Sequence, residues 1–222
     1  MAPRVAAYVP MKSDNVRLPN KHFLPLAGAP LYTHIFRALT AVTGIDRIYA
    51  WASEDAFAAG LPESVEFLRR DTRFDGATVR GLDLFQGFAA DVEADFYLLA
   101  HATAPFLRTE TMQRGLDGVL SGSYDSAFSA EKIQTYCWYR GKPVNYDPTD
   151  MVRTQELEPV YVETSGFYVY SREEILTRAR RIGDKPLIVE ITAAEAVDVD
   201  WPEDYDTARR FEDLLAGGPV AN

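Results

Sequence analysis

The chain predicts an α/β fold: a mostly parallel sheet with helices on both faces, in Rossmann-like layers. Two observations lead there. Apolar runs of strand length recur from Val5 to Ser129, and between them lie stretches whose apolar residues repeat at helical spacing. Val5 to Val9 reads as a buried first strand, which Pro10 is expected to end because proline has no amide proton for a central ladder. Leu31, Ile35, Ala38 and Leu39 share one face of a helix that Pro30 can begin. Strands follow at Arg47 to Ala52 and Val65 to Leu68. A second helix carries Leu82, Phe85, Gln86 and Ala89 on one face, and Asp95 to Ala100 is the next strand. Thr109 and Glu110 open a third helix, through Leu120, before a strand at Ser126 to Ser129.

Residues 132–165 break this rhythm. They are rich in Tyr, Pro and charge, with turns at Lys142-Pro143 and Asp147-Pro148, and so long an excursion from a compact domain is usually functional or an interaction arm. Regularity returns with a strand at Gly166 to Tyr170, a helix capped by Ser171 and extending to Arg181, and a strand at Leu187 to Ile191. A closing helix from Glu203 to Leu215 has acids in its first turn, where the helix dipole favours them. Gly217-Gly218-Pro219 is expected to begin a frayed tail.

The 222 residues fit one domain, residues 1–222, and a chain of this size buries roughly 70% of its unfolded surface. A net charge of −10 and a pI near 4.8 argue against a nucleic-acid binder, which needs a broad basic face, yet leave room for a local cationic pocket. Cys137 is the only cysteine, so neither an intrachain disulfide nor a thiolate-rich zinc site can form, and a reducing compartment is the natural reading. The apolar run before Pro10 is too short for a secretory core and no later run has the length of a membrane span, so a cytoplasmic protein without a membrane partner is expected.

The loop after the first strand places Lys12, Arg17 and Lys21 within ten residues. Read alone, these cations suit either a solvated basic loop or a polyphosphate site; at the carboxyl end of a strand in an open α/β sheet, ligands commonly settle. Asp198 and Asp200 stand two apart with Val197 and Val199 interleaved, so on a strand both carboxylates share a face. That pattern alone suits a solvated strand end as well as a magnesium ion, which prefers carboxylate oxygens and keeps several waters.

Leu18-Pro19-Asn20-Lys21, followed by Pro25-Leu26-Ala27-Gly28-Ala29-Pro30-Leu31, resembles the signature of the acylneuraminate cytidylyltransferases, relatives of the CMP-Kdo synthetases. Leu98-Leu99-Ala100-His101-Ala102-Thr103-Ala104-Pro105, Arg153-Thr154-Gln155, and Val197-Asp198-Val199-Asp200 with Glu203-Asp204 echo the same family in the same order. The resemblance implies a three-layer nucleotidyltransferase fold of glycosyltransferase-A-like type, with residues 132–165 an inserted dimerisation and sugar-site arm, and hence a homodimer. It implies transfer of CMP from CTP to a nonulosonic, sialic-acid-like or related 2-keto acid sugar, with release of pyrophosphate and with Mg2+ as cofactor.

Carried over residue by residue, the resemblance gives Lys21 and Arg17 catalytic roles and puts Pro10, Lys12, Asn15, Arg17, Lys21, Ser53, Arg70 and Thr78 on the nucleotide. His101, Thr103, Arg153, Gln155, Ser165 and Gly166 fall to the sugar, and Asp198 and Asp200 to the metal. Three departures stand out. Ser13-Asp14-Asn15-Val16 replaces a glycine-bearing stretch, His101 stands where the family has Gln, and Ser165 where it has Asn. The rivals are a nucleotidyltransferase of the same fold using another nucleotide or sugar, and a binding homologue without turnover.

Overall fold

The computed structural model describes residues 2–215, so the expected tail from Gly217 lies outside the described residues. Seven strands form the central sheet. In chain order they are β1 (Val5–Met11), β4 (Arg47–Ala52), β5 (Val65–Arg69), β6 (Phe96–Ala100), β7 (Ser126–Ile133), β10 (Val160–Ser171) and β11 (Pro186–Ile191). Two small ribbons complete the set: β2 (Pro25–Leu26) with β3 (Ala29–Pro30), and β8 (Trp138–Tyr139) with β9 (Lys142–Pro143). The helices are α1 (Leu31–Leu39), α2 (Gly81–Asp91), α3 (Thr109–Leu120), α4 (Arg172–Leu176) and α5 (Pro202–Arg210).

The sheet runs β11-β7-β10-β6-β1-β4-β5, and only β10 is antiparallel to its neighbours. Odd residues of β1 (Val5, Ala7, Val9) join one core with Tyr32, Ile35 and Phe36 of α1 and Met112 and Leu116 of α3. Even residues (Ala6, Tyr8) join a second core with Phe85, Phe88 and Ala89 of α2. Period-2 alternation thus divides β1 between two helical layers. From β1 the chain winds outward to β4 and β5, then returns to β6 on the other side of β1. That reversal opens a crevice at the carboxyl ends of β1 and β6.

Several expectations need correction. Pro10 does not end β1, which runs to Met11 with Pro10 paired to Trp51 of β4. The β6 ladder stops at Tyr8, so Pro10 lies where one edge of the strand is already unpaired and a missing donor is tolerated. The 132–165 excursion is partly sheet, because β7 reaches Ile133 and β10 begins at Val160. The helix expected to reach Arg181 ends at Leu176, and Ala179 beyond it takes a positive φ of 53°. The closing helix breaks at Phe211 into a 3-10 turn, Glu212–Leu214. Asp198 and Asp200 lie on no strand; the segment is extended and anchored by the Val199 amide donating to the Thr103 carbonyl at 2.8 Å. Val199 is fully buried, so the alternation that sends both carboxylates the other way survives without a ladder.

Candidate active site

A cleft of about 360 Å3 occupies the crevice at the strand ends. Met11 closes β1, Arg70 directly follows β5 and His101 directly follows β6, so three strand ends deliver three lining residues. The loop after β1 adds Lys12, Asn15, Arg17 and Lys21, and the 197–200 segment adds Asp198 and Asp200. Cations outnumber carboxylates on these walls although the whole chain is strongly acidic. An anionic ligand is therefore favoured here and repelled elsewhere.

Lys21 owes its position to a turn. Pro19 supplies the fixed φ and Asn20 takes φ 54°, the left-handed conformation that asparagine tolerates better than most residues, and the Lys21 amide closes the turn on the Leu18 carbonyl at 3.2 Å. The Lys21 side chain, only 8% exposed, pairs with Asp200 Oδ1, while Arg17 Nη2 reaches Asp200 Oδ2 at 2.6 Å. The two ends of the chain meet at this carboxylate. Arg17 also lies over the ring of Trp201, 5.7 Å from its centroid.

Asp198 is deeper. Its Oδ1 is buried without a hydrogen-bond partner, and burial raises its carboxyl above the ordinary range despite the nearby hydroxyls of Thr103 and Ser165 and the charge of Lys21. Ser165 arrives through a β-bulge, for the β10–β7 register shifts between Glu163 and Tyr168. His101 is held by its amide donating to the Gly166 carbonyl at 3.1 Å. Its Nε2 is buried without a partner, and burial, aided by the charges of Arg181 and Lys21, lowers the imidazole to about 4. His22 is likewise lowered to about 4, by burial first and then by Lys21, and its Nδ1 lies 2.9 Å from the Lys12 carbonyl. Both rings are uncharged at neutral pH. Arg70 is 3% exposed, bonds Asp75 Oδ1 at 2.6 Å and leaves Nε unpartnered.

A family profile described as Cytidylyltransferase matches residues 6–216. The chain belongs to the cytidylyltransferase family. It is 25% identical over 223 residues to the N-acylneuraminate cytidylyltransferase of Oncorhynchus mykiss, covering 93% of this chain and 51% of the relative. To the CMP-N,N'-diacetyllegionaminic acid synthase of Legionella pneumophila it is 25% identical over 227 residues, covering 95% and 97%. The chain thus spans about half the length of the first relative and nearly all of the second. Its fold matches a CMP:2-keto-3-deoxy-manno-octonic acid synthetase solved with CTP at a TM-score of 0.68 and 18% identity, over 95% of this chain and 98% of that one. A 4-diphosphocytidyl-2C-methyl-D-erythritol synthase from Anaerococcus prevotii superposes with the same TM-score at 14% identity, over 96% and 97%.

The loop without glycines is fixed by side chains. The Ser13 hydroxyl donates to Glu54 Oε1 at 2.7 Å and the Ser13 amide to the same oxygen at 3.3 Å, while Asn15 Nδ2 donates to the Lys12 carbonyl at 2.8 Å. Asp14 is exposed. Pro10 and Thr103 also line the cleft. Ser53 does not: it is buried, and its carbonyl accepts from Arg69. Thr78 is exposed on the bend whose flanking Gly76 and Val79 line the cleft. Gly166 is one step behind the wall, supporting His101. Arg153 and Gln155 are outside, exposed on the 3-10 turn Thr154–Glu156 of the arm, with Arg153 paired to Glu156. Sequence reading missed Trp201, although an aromatic directly after the Asp pair was a usable signal; it also missed the Ser13–Glu54 tie, which no local pattern announces.

Proposed function

We propose that the cleft binds CTP and transfers CMP to an acid sugar of the nonulosonic or 2-keto-3-deoxy class, releasing pyrophosphate. The observation that carries this is the convergence of Lys21 and Arg17 on Asp200, beside Asp198, at the carboxyl ends of β1 and β6. Family membership and relatives named for CMP-activated acid sugars support it.

In the reaction the sugar's anomeric oxygen bonds to the α-phosphorus, the α–β bridging bond breaks, and the hydroxyl proton departs. Charge builds on the phosphoryl oxygens, and fixed cations placed beforehand stabilise it without reorganising. Of the three loop cations Lys21 is the buried one, suited to the α-phosphate; the more exposed Lys12 and Arg17 suit the departing pyrophosphate. Neutral His101 offers Nε2 to a sugar hydroxyl as donor or acceptor, according to tautomer.

The donor set also fits Mg2+. Among the described residues no group of three or more His, Cys, Asp or Glu could hold a metal by itself, but an octahedral ion bound through one or two carboxylates, phosphates and water needs no more than Asp198 and Asp200. The unpartnered Oδ1 of Asp198 is the kind of atom such an ion satisfies. When bound, the ion would neutralise phosphate charge during transfer.

The arm supports a homodimer, because Trp138, Tyr139 and Met151 are 58%, 66% and 68% exposed and a partner would cover them. A second copy is also what would bring Arg153 and Gln155 to a sugar. Among the described residues no helix is long and apolar enough to cross a membrane, and a cytoplasmic setting suits an enzyme that consumes CTP. The test is pyrophosphate release from CTP and Mg2+ with a panel of 2-keto acid sugars. Release with at least one is expected; CTP binding without release would leave a binding protein, and stronger thermal stabilisation by GTP, UTP or ATP would assign another nucleotide.

A further inference from the structure

We infer that Arg181 recognises the carboxylate of the acid sugar at the His101 end of the cleft and so sets the preference for acidic over neutral sugars. This rests on the function proposed above for the same site. Three arginines follow α4. Arg178 and Arg180 are engaged locally: Arg178 with Glu173 at 2.9 Å and Glu174 at 3.0 Å, Arg180 with Glu174 at 2.6 Å and Asp184 at 2.7 Å. Arg181 goes elsewhere. The left-handed Ala179, a strained conformation for a residue with a Cβ, turns the chain out of the helix before it. The Arg181 guanidinium then lies over the Tyr168 ring, 4.1 Å from its centroid, and 5.6 Å from that of Phe85.

Tyr168 connects this cation to the site. Its ring lies 6.3 Å from that of His101, which lines the cleft, and its hydroxyl donates to Glu163 Oε1 at 2.6 Å. The same oxygen accepts from Arg181. Arg181 and Tyr168 therefore already hold one carboxylate between them. Both partners of that ion pair are about a third exposed, 33% and 39%, and a pair so exposed is weak and readily exchanged. The charge of Arg181 also reaches His101, where only burial does more to disfavour the imidazolium.

The remaining cations are committed or remote. Lys12, Arg17 and Lys21 lie on the side assigned above to the phosphates, Arg70 is buried and paired with Asp75, and Arg153 is on the arm, paired with Glu156. A planar guanidinium backed by an aromatic ring is well suited to gripping a carboxylate through two donors. Glu163 holds that place until a substrate carboxylate displaces it.

The experiment is calorimetric titration of the full chain with an N-acylneuraminate and with 2-keto-3-deoxy-manno-octonic acid, each compared with its C1 carboxamide. Wild type should prefer acid to amide by about tenfold or more, the usual scale for a hydrogen-bonded charge. Arg181→Met, which keeps the stem over Tyr168, should abolish the preference, and Arg181→Lys should retain part of it. Glu163→Gln should tighten acid binding. CTP affinity should be unchanged in all three variants, which also shows that they fold. Retention of the preference by Arg181→Met, equal binding of acid and amide by wild type, or no binding of either acid would overturn the assignment. Pyrophosphate release is a separate readout: its absence from a wild type that still prefers acids would remove the transfer reaction and leave Arg181 in its role.

Discussion

Replacing Asp198 with asparagine should make the protein more stable and less active. Oδ1 of Asp198 is buried and unpartnered, and burial is the largest influence on its carboxyl, followed by the nearby Thr103 hydroxyl, which favours the charged form, and the like charge of Asp200, which disfavours it. The net effect is a pKa above the ordinary 3.8, so between these two values the folded chain binds more protons than the unfolded one. Stability then falls as pH rises through that window, and the whole penalty is present at neutral pH. A buried polar group without a partner costs about 1–3 kcal/mol. The amide removes the charge but keeps a polar atom there, so a gain near the lower end, about 1 kcal/mol, is expected. For a chain of this length that is about 2–4 °C in Tm. The assay is urea or thermal unfolding of wild type and Asp198→Asn without ligands from pH 3 to 8, beside pyrophosphate release. The stability difference should be largest near pH 7–8 and vanish in acid, where both side chains are neutral, while turnover is lost. A variant less stable at pH 7, or a gain that grows in acid, would refute the assignment of a buried, charge-penalised carboxylate.

Lys21→Met should lower kcat by about 10²–10³, the scale for removing one fixed donor from a developing charge, with an unchanged far-ultraviolet spectrum as the check on folding. Trp138→Glu combined with Tyr139→Glu should shift the proposed dimer to monomer in sedimentation velocity, since both side chains are exposed on the arm. Gly115→Ala should destabilise by about 1–3 kcal/mol in urea. A Cβ there would lie 2.4 Å from the ring of Phe167, which is fully buried and cannot give way, so the clash outweighs the gain in helix propensity.

The layered fold was legible because β1, β6 and nearly all of β4 are apolar runs, and because α1 and α2 carry their apolar residues at helical spacing. Boundaries were less so. Pro10 looked like a stop only because the sequence does not reveal that β6 releases that edge of β1 after Tyr8. The helix expected through Arg181 has helical composition throughout, yet it ends at Leu176 and Ala179 takes a positive φ, a stop that no residue pattern in this stretch announces. At the site, the loop cations and the Asp pair could be picked out by pattern. Their meeting, across 179 residues between Lys21 and Asp200, could not. Ser53, Thr78, Arg153 and Gln155 were aligned to motifs correctly ordered in sequence, yet short-range order does not say which side of a turn faces the cleft.

A crystal structure with CTP and Mg2+ would examine the convergence at the strand ends most directly. The triphosphate should lie between Lys21 and the Asp198–Asp200 pair, with Lys21 released from Asp200 to the α-phosphate and the base on the Arg70 side. CTP bound away from this cleft, or Lys21 still paired to Asp200 with the phosphates elsewhere, would contradict it.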